Sequence, residues 1–297
     1  MIIFEEVIAK QLNLGLVQVK NTLELINEGA TVPFISRYRK ERTGSMDELQ
    51  VAGVRDAYEQ LKELQKRQEY ILKTIDEQGK LTDELRTKIE ETLDPKTLED
   101  IYLPYKVKRK TRATVARDKG LEPLAKIIMK QQELLLDKRA ESFLNDEVPT
   151  LEEALQGARD IIAEWVSENQ RARNIVRQHF SRNAVIYSKL AKGKEEEGAK
   201  YRDYFDFHEA LKKCPSHRIL AMRRGEKEGF LKISIEPEEE RAITDLVRLF
   251  VTGNYDVSRQ VELAVQDSYK RLLAPSIENE FKAEAKEKAD MEAIRVF

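Results

Sequence analysis

Between Asp47 and Gln78 no proline interrupts the chain, and Val54, Ala57, Leu61, Leu64, Gln68, Ile71 and Ile75 recur at alternating steps of three and four. Only an α-helix gathers that spacing onto one face. The pattern therefore predicts one long helix that stops at Gly79. It packs lengthwise either against its own neighbours or in a short intermolecular coiled coil, which Ala57 and Gln68 would weaken. With 36% charged residues against 12 Gly and 8 Pro, long solvent-exposed helices are favoured throughout. A disordered chain is excluded because Leu, Ile, Val and aromatic residues recur at helical spacing. At 297 residues the chain suits one large domain or two smaller ones.

Two short helices are expected from Phe4 to Asn27, then a third capped by Thr31 with Pro33 in its first turn and broken at Gly44-Ser45. Thr82 is placed to cap another. Residues 101–120 read as irregular and basic, and helices resume near Leu121. Thr150-Leu151-Glu152-Glu153 has the form of a capping box ahead of Leu155, Ala158, Ile161, Ile162 and Trp165. Gly193 to Gly198 reads as an exposed loop. Leu231 to Ile235 alternates apolar with polar and predicts a strand; Pro237 then opens a helix. A last helix is expected from near Ser276, after Pro275, and shows no stop signal at Ile294-Arg295-Val296-Phe297. The expected fold is mainly α, an irregular multi-helix assembly with a helix-turn-helix-like N-terminal segment and a small β element. The expected domains are a helical region over 1–190 and a connecting region over 191–297.

Net charge is -2 and the sequence pI is near 6.1, so any nucleic-acid contact must come from a local patch. Ile8, Leu12, Leu14, Val19 and Leu23 fit a helix-turn-helix core with Asn13 at the turn. Its outward residues Gln18, Lys20, Asn21 and Glu24 make a poor phosphate-binding face, so the pair serves either DNA or packing alone. Arg37, Arg39, Lys40 and Arg42 crowd one and a half turns beside Tyr38, with Glu41 as a candidate partner. Lys106, Lys108, Arg109, Lys110 and Arg112 follow Tyr102-Leu103-Pro104-Tyr105, and no acid lies between Asp100 and Asp118. Such a loop either contacts phosphates with some stacking or pairs with the chain's own carboxylates. Arg171, Arg173, Arg177, His179 and Arg182 form a second basic stretch that reads as a solvated face.

Catalytic signals are weak. Cys214 and His217 lack an orienting partner, and Gly193-x-x-x-x-Gly198 is followed by Ala199 where a phosphate loop needs Lys. Asp203 and Asp206 among aromatics do not make a metal or acid/base site by themselves. No cofactor and no metal is expected. With one cysteine there is no internal disulfide, and a reducing cytoplasm is the natural setting. The N-terminus is not a signal peptide, and no apolar run approaches a membrane span.

Four stretches carry a resemblance: Ala30 to Glu41 (ATVPFISRYRKE), Leu98 to Arg112 (LEDIYLPYKVKRKTR), Lys200 to Asp206 (KYRDYFD) and Pro215 to Arg218 (PSHR). They resemble the Tex family of bacterial transcription accessory proteins, with Val107 where that family's pattern leads one to expect proline. The resemblance implies kinship with the eukaryotic histone-binding elongation factor that shares the Tex core. It also implies a continuation into an RNase H-like domain, then helix-hairpin-helix and S1 domains, the S1 domain being the main nucleic-acid contact. On this reading the chain is a non-catalytic scaffold region that touches RNA or DNA weakly and without sequence preference through Arg37, Arg39, Lys40, Arg42, Lys106, Lys108, Arg109, Lys110 and Arg112. The alternative is a protein-interaction module that docks on RNA polymerase or another transcription component.

Overall fold

A computed structural model describes residues 3–296. The chain forms two compact units, the first ending at Lys106 and the second beginning at Val107.

The first unit contains α1 (Phe4–Leu12), α2 (Leu16–Asn27), α3 (Val32–Tyr38), α4 (Lys40–Thr43), α5 (Glu48–Glu77), α6 (Asp83–Glu91) and α7 (Pro95–Tyr102), closed by a 3-10 turn over Leu103–Tyr105. All seven seam residues of α5 are buried. They face α1, α2, α3, α6 and α7 of the same chain, so the seam is spent within the unit. Asp47 accepts from the Gln50 amide at 2.8 Å, and the Gln50 side chain returns to the Asp47 amide at 3.0 Å. That reciprocal pair satisfies two of the donors a helix start leaves unpaired. Gln68, the polar residue in the seam, donates to the carbonyls of Ile89, Glu90 and Thr92 at 2.8, 3.2 and 2.9 Å. It closes the C-terminus of α6 from inside the core. Asn13 takes the left-handed conformation (φ 53°, ψ 47°) between α1 and α2. The helix expected from Thr31 to Gly44 is broken at Arg39 (φ -130°, ψ 29°), and the Thr31 side chain caps nothing.

The second unit contains α8 (Arg112–Asp118), α9 (Glu122–Lys130), α10 (Leu136–Glu141), α11 (Leu151–Glu168), α12 (Gln170–Asn183), β1 (Val185–Leu190), β2 (Asp206–Ala210), α13 (Ser216–Lys227), β3 (Leu231–Glu236), α14 (Glu239–Phe250), α15 (Asp256–Ser268) and α16 (Ala274–Val296). Helix α11 is its axis. It packs on α8, α9 and α15 and buries residues around nearly its whole circumference. Gly157 permits the α8 crossing, because a Cβ there would collide with Leu121 Cδ1 and press on Ala116.

Three expectations need correction here. Residues 101–120 are not irregular throughout: Thr111 and Thr114 cap each other's amides at 3.1 and 2.7 Å and start α8. The strand at Leu231–Glu236 has two antiparallel companions, in the order β2-β1-β3. They escape a hydropathy reading because Ser188, on the inner face of β1, is buried and donates to the Tyr204 carbonyl at 2.7 Å, which breaks the alternation. The helix expected after Pro275 begins long before it. α15, a π-helical turn (Tyr269–Leu273) and α16 run on without interruption. A proline removes one backbone donor and crowds the carbonyl four residues back, and a π turn just ahead absorbs that mismatch.

The compact units also differ from domains meeting near residue 190. That position ends β1, which pairs with both β2 and β3, while α12 packs on α14 and α16. These contacts tie residues 107–190 to residues 191–297.

Candidate nucleic-acid interface

In the first unit, Val32, Ile35 and Ser36 turn inward on α3, which leaves Phe34, Arg37 and Tyr38 on the opposite face. Phe34 is 40% and Tyr38 66% exposed, and their rings lie 5.6 Å apart. The Arg39 guanidinium sits 5.2 Å from the Phe34 centroid. Arg37, Arg39 and Lys40 are exposed, and none has an acidic partner among the described residues. Arg42 differs: it pairs with Glu24 on α2 at 3.1 Å and with Glu28, just past the end of that helix, at 3.8 Å. The break at Arg39 turns α4 against α2. There Asn21 donates to the Arg42 carbonyl at 2.7 Å, and Gln18 to the Thr43 and Gly44 carbonyls at 3.2 Å each. Three of the four outward residues of the helix-turn-helix-like pair thus hold α4, and Glu41 is not the partner that Arg42 takes.

The basic loop after Tyr105 divides in two. Lys106, Arg109 and Lys110 are exposed and have no ion-pair partner among the described residues. Val107 is 85% exposed. Lys108 points inward instead. Its Nζ lies 2.8 Å from Glu164 on α11 and also pairs with Glu168 one turn later. Glu164 takes two further bonds, from Arg117 at 2.7 Å and Thr111 at 3.2 Å. Burial pushes the Glu164 carboxyl up, but the bonds and charges of Lys108 and Arg117 outweigh it and hold the group below the usual carboxylate range. Burial wins at Glu168, whose carboxyl is raised despite Lys108. Arg112 is exposed on α8 and lines a 520 Å³ pocket with Gln156, Arg159, Asp160, Leu263 and Asp267.

A family profile described as Tex central region-like matches residues 131–297, more than half of the chain. This chain belongs to the Tex family. A second profile, Tex-like protein N-terminal domain, matches residues 3–76. The chain is similar to the Transcriptional accessory protein Tex of Neisseria gonorrhoeae, with 38% identity over 98% of this chain and 39% of that one. It is 39% identical to Protein YhgF of Escherichia coli over 99% of this chain and 40% of the other. Human S1 RNA-binding domain-containing protein 1 is 27% identical over 98% of this chain and 31% of its own length. The chain thus spans about two fifths of the bacterial relatives it matches.

Within this Tex-family chain the catalytic candidates do not assemble. Cys214 is buried, and its thiol is pushed up to about 11, first by burial and then by Glu209, the reverse of an activated nucleophile. His217 is exposed on α13. No group of three or more His, Cys, Asp or Glu could hold a metal ion among the described residues. None of the described helices is long and apolar enough to cross a membrane. Arg173 and Arg177 on α12 grip Glu280 on α16, and His179 bonds Asp245 on α14 at 2.9 Å. The stretch expected as a solvated face is mostly a packing face, a role its acid-free sequence neighbourhood gave no sign of.

Proposed function

We propose that this chain is a non-catalytic, nucleic-acid-associated scaffold region of a transcription accessory protein. It makes weak, sequence-independent contacts with RNA or DNA through Arg37, Arg39 and Lys40 in one unit and Lys106, Arg109 and Lys110 at and after the inter-unit loop. The carrying observation is the set of exposed cations without acidic partners among the described residues, together with the exposed Phe34–Tyr38 pair of the first unit. Unpaired Lys and Arg neutralise phosphates, and exposed rings stack on bases whatever their sequence. Membership of the Tex family, and a relative named for RNA binding, support the reading. Arg42 and Lys108 serve the fold, whereas Arg112, exposed and without an ion-pair partner among the described residues, belongs with the proposed contacts.

The test is fluorescence anisotropy with labelled single-stranded RNA and duplex DNA over a salt series. Replacing Lys106, Arg109 and Lys110 by Ser, with or without Arg37→Ser and Lys40→Ser, should weaken binding and flatten the salt slope. The slope falls by roughly 0.7–0.9 for each phosphate that is no longer neutralised. Absence of binding by the native chain at low salt overturns the proposal. A second reading, docking on RNA polymerase or another transcription component, draws support from a groove of about 870 Å³ beside α5. It is lined by Val7, Ala57, Leu61, Leu64, Leu93 and Pro95, with Leu93 45% exposed.

A further inference from the structure

The three-stranded sheet has one covered and one open face. Ile186 and Ser188 of β1 and Leu231, Ile233 and Ile235 of β3 point inward and are buried, and β3 rests on α13 and α16. The other face carries Val185, Tyr187 and Lys189 on β1, Asp206, His208 and Ala210 on β2, and Lys232, Ser234 and Glu236 on β3. Lys189, Asp206, His208, Ala210, Lys232 and Glu236 are exposed, Val185, Tyr187 and Ser234 are half-buried, and no described helix provides cover comparable to that on the inner face.

Register places three of them in one row across the strands: His208, Tyr187 and Ser234. The Tyr187 and His208 rings are stacked, with centroids 6.1 Å apart and planes 24° apart. On the other side of Tyr187 stands only the small Ser234. The row therefore reads ring, ring, gap. A planar base set over Ser234 would extend the stack by one ring on the free side of Tyr187, with a hydroxyl beneath it. Lys189 and Lys232 are opposite each other one step along, exposed and without an ion-pair partner among the described residues. They suit the phosphates that flank such a base. Lys212 and Lys213 are exposed just beyond the other end of β2. Two acids share the face: Asp206 stands opposite Lys189 in the same row, and Glu236 lies in the row at the other end, opposite Val185.

We propose that this open sheet face is a binding site for single-stranded nucleic acid, with Tyr187 as its stacking platform, His208 as the ring that backs it and Lys189 and Lys232 as phosphate contacts. The proposal rests on the nucleic-acid role proposed for the chain as a whole but uses none of the same residues. A base already paired and stacked in a duplex has no free face to set against Tyr187, so the site discriminates for unpaired strands. Ring stacking is indifferent to base identity, and no sequence preference is expected.

The test is anisotropy of the native chain with labelled oligouridylate and oligothymidylate of about twelve nucleotides and with a hairpin duplex. Tyr187→Ala should weaken single-strand binding by about ten-fold or more, the loss of one base stack, and leave duplex binding unchanged. Tyr187→Phe keeps the ring and should retain native affinity. Lys189→Ser with Lys232→Ser should flatten the salt slope for single strands. His208→Ala, on an exposed position, is a second variant in case Tyr187→Ala perturbs the fold, and circular dichroism melts identify that case. Equal single-strand affinity of the native chain, Tyr187→Ala and His208→Ala overturns the sheet site. If the Lys106, Arg109 and Lys110 variant alone then loses binding, the loop reading survives without it. Losses confined to the sheet variants support the sheet site and overturn the loop.

Discussion

Replacing Lys108 by Met tests whether this part of the basic loop belongs to the fold rather than to a ligand. Lys108 is 24% exposed, and the carboxylates it joins are 9% (Glu164) and 12% (Glu168) exposed. Without it Glu164 keeps Arg117 at 2.7 Å, but Glu168 loses the cation that offsets its burial and still feels the charge of Glu164. Removing one partner of a buried pair costs about 3–5 kcal/mol, because a charge is left buried and uncompensated. Arg117 and the partial exposure of Lys108 bring the expectation down to about 2–3 kcal/mol. For a unit of this size that corresponds to a fall in Tm of roughly 5–10 °C. The assay is thermal unfolding followed by circular dichroism at pH 7.5 and at stepped lower pH.

The sign with pH is fixed. The Glu168 carboxyl is already raised by burial and rises further in Lys108→Met, so the variant's folded state binds the proton before the unfolded state does. The deficit should therefore shrink as pH falls through that raised value. Lys108→Met combined with Glu168→Gln should recover most of the loss at neutral pH. Arg109→Ser and Lys110→Ser, by contrast, should stay within about 0.5 kcal/mol of the native chain, as exposed substitutions do. A Lys108→Met protein as stable as the native one, or a deficit that does not respond to pH, refutes the assignment of Lys108 to the fold.

Three other outcomes are expected. Gln68→Leu leaves three carbonyls at the end of α6 without their donor and should cost about 2–3 kcal/mol, read as a lower urea midpoint with unchanged m. Gly225→Ala places a Cβ against Leu231 and Tyr201 between α13 and β3, an overpacking that should cost about 1–3 kcal/mol in the same assay. Cys214, with its thiol pushed to about 11, should react with iodoacetamide at pH 8 far more slowly in the native chain than in urea, and comparable rates would contradict its burial.

Family, helical class and the main helix could be read from residues alone, because each rests on local chemistry. The α5 seam, the Asn13 turn and the Thr82 and Thr150 caps need only neighbours a few residues away, and all are present. The alternating strand at Leu231–Glu236 was legible for the same reason. The compact units and the two further strands were not, since each depends on partners tens of residues distant, and the course through Pro275 rests on a π turn that no sequence signal marked. Ser188 is acceptable inside the sheet only because the Tyr204 carbonyl meets it there. The charged residues show the limit most clearly. Lys108, Arg109 and Lys110 are adjacent in a run of like charge, and nothing local distinguishes them. What separates them is that Glu164 and Glu168, more than fifty residues on, are buried one helical turn apart on α11 where Lys108 can reach them. A buried carboxylate draws in the cation within reach, while its neighbours are left to solvent. Sequence thus determined that a cation-rich loop exists here, and tertiary structure decided which of its charges are free to meet anything else.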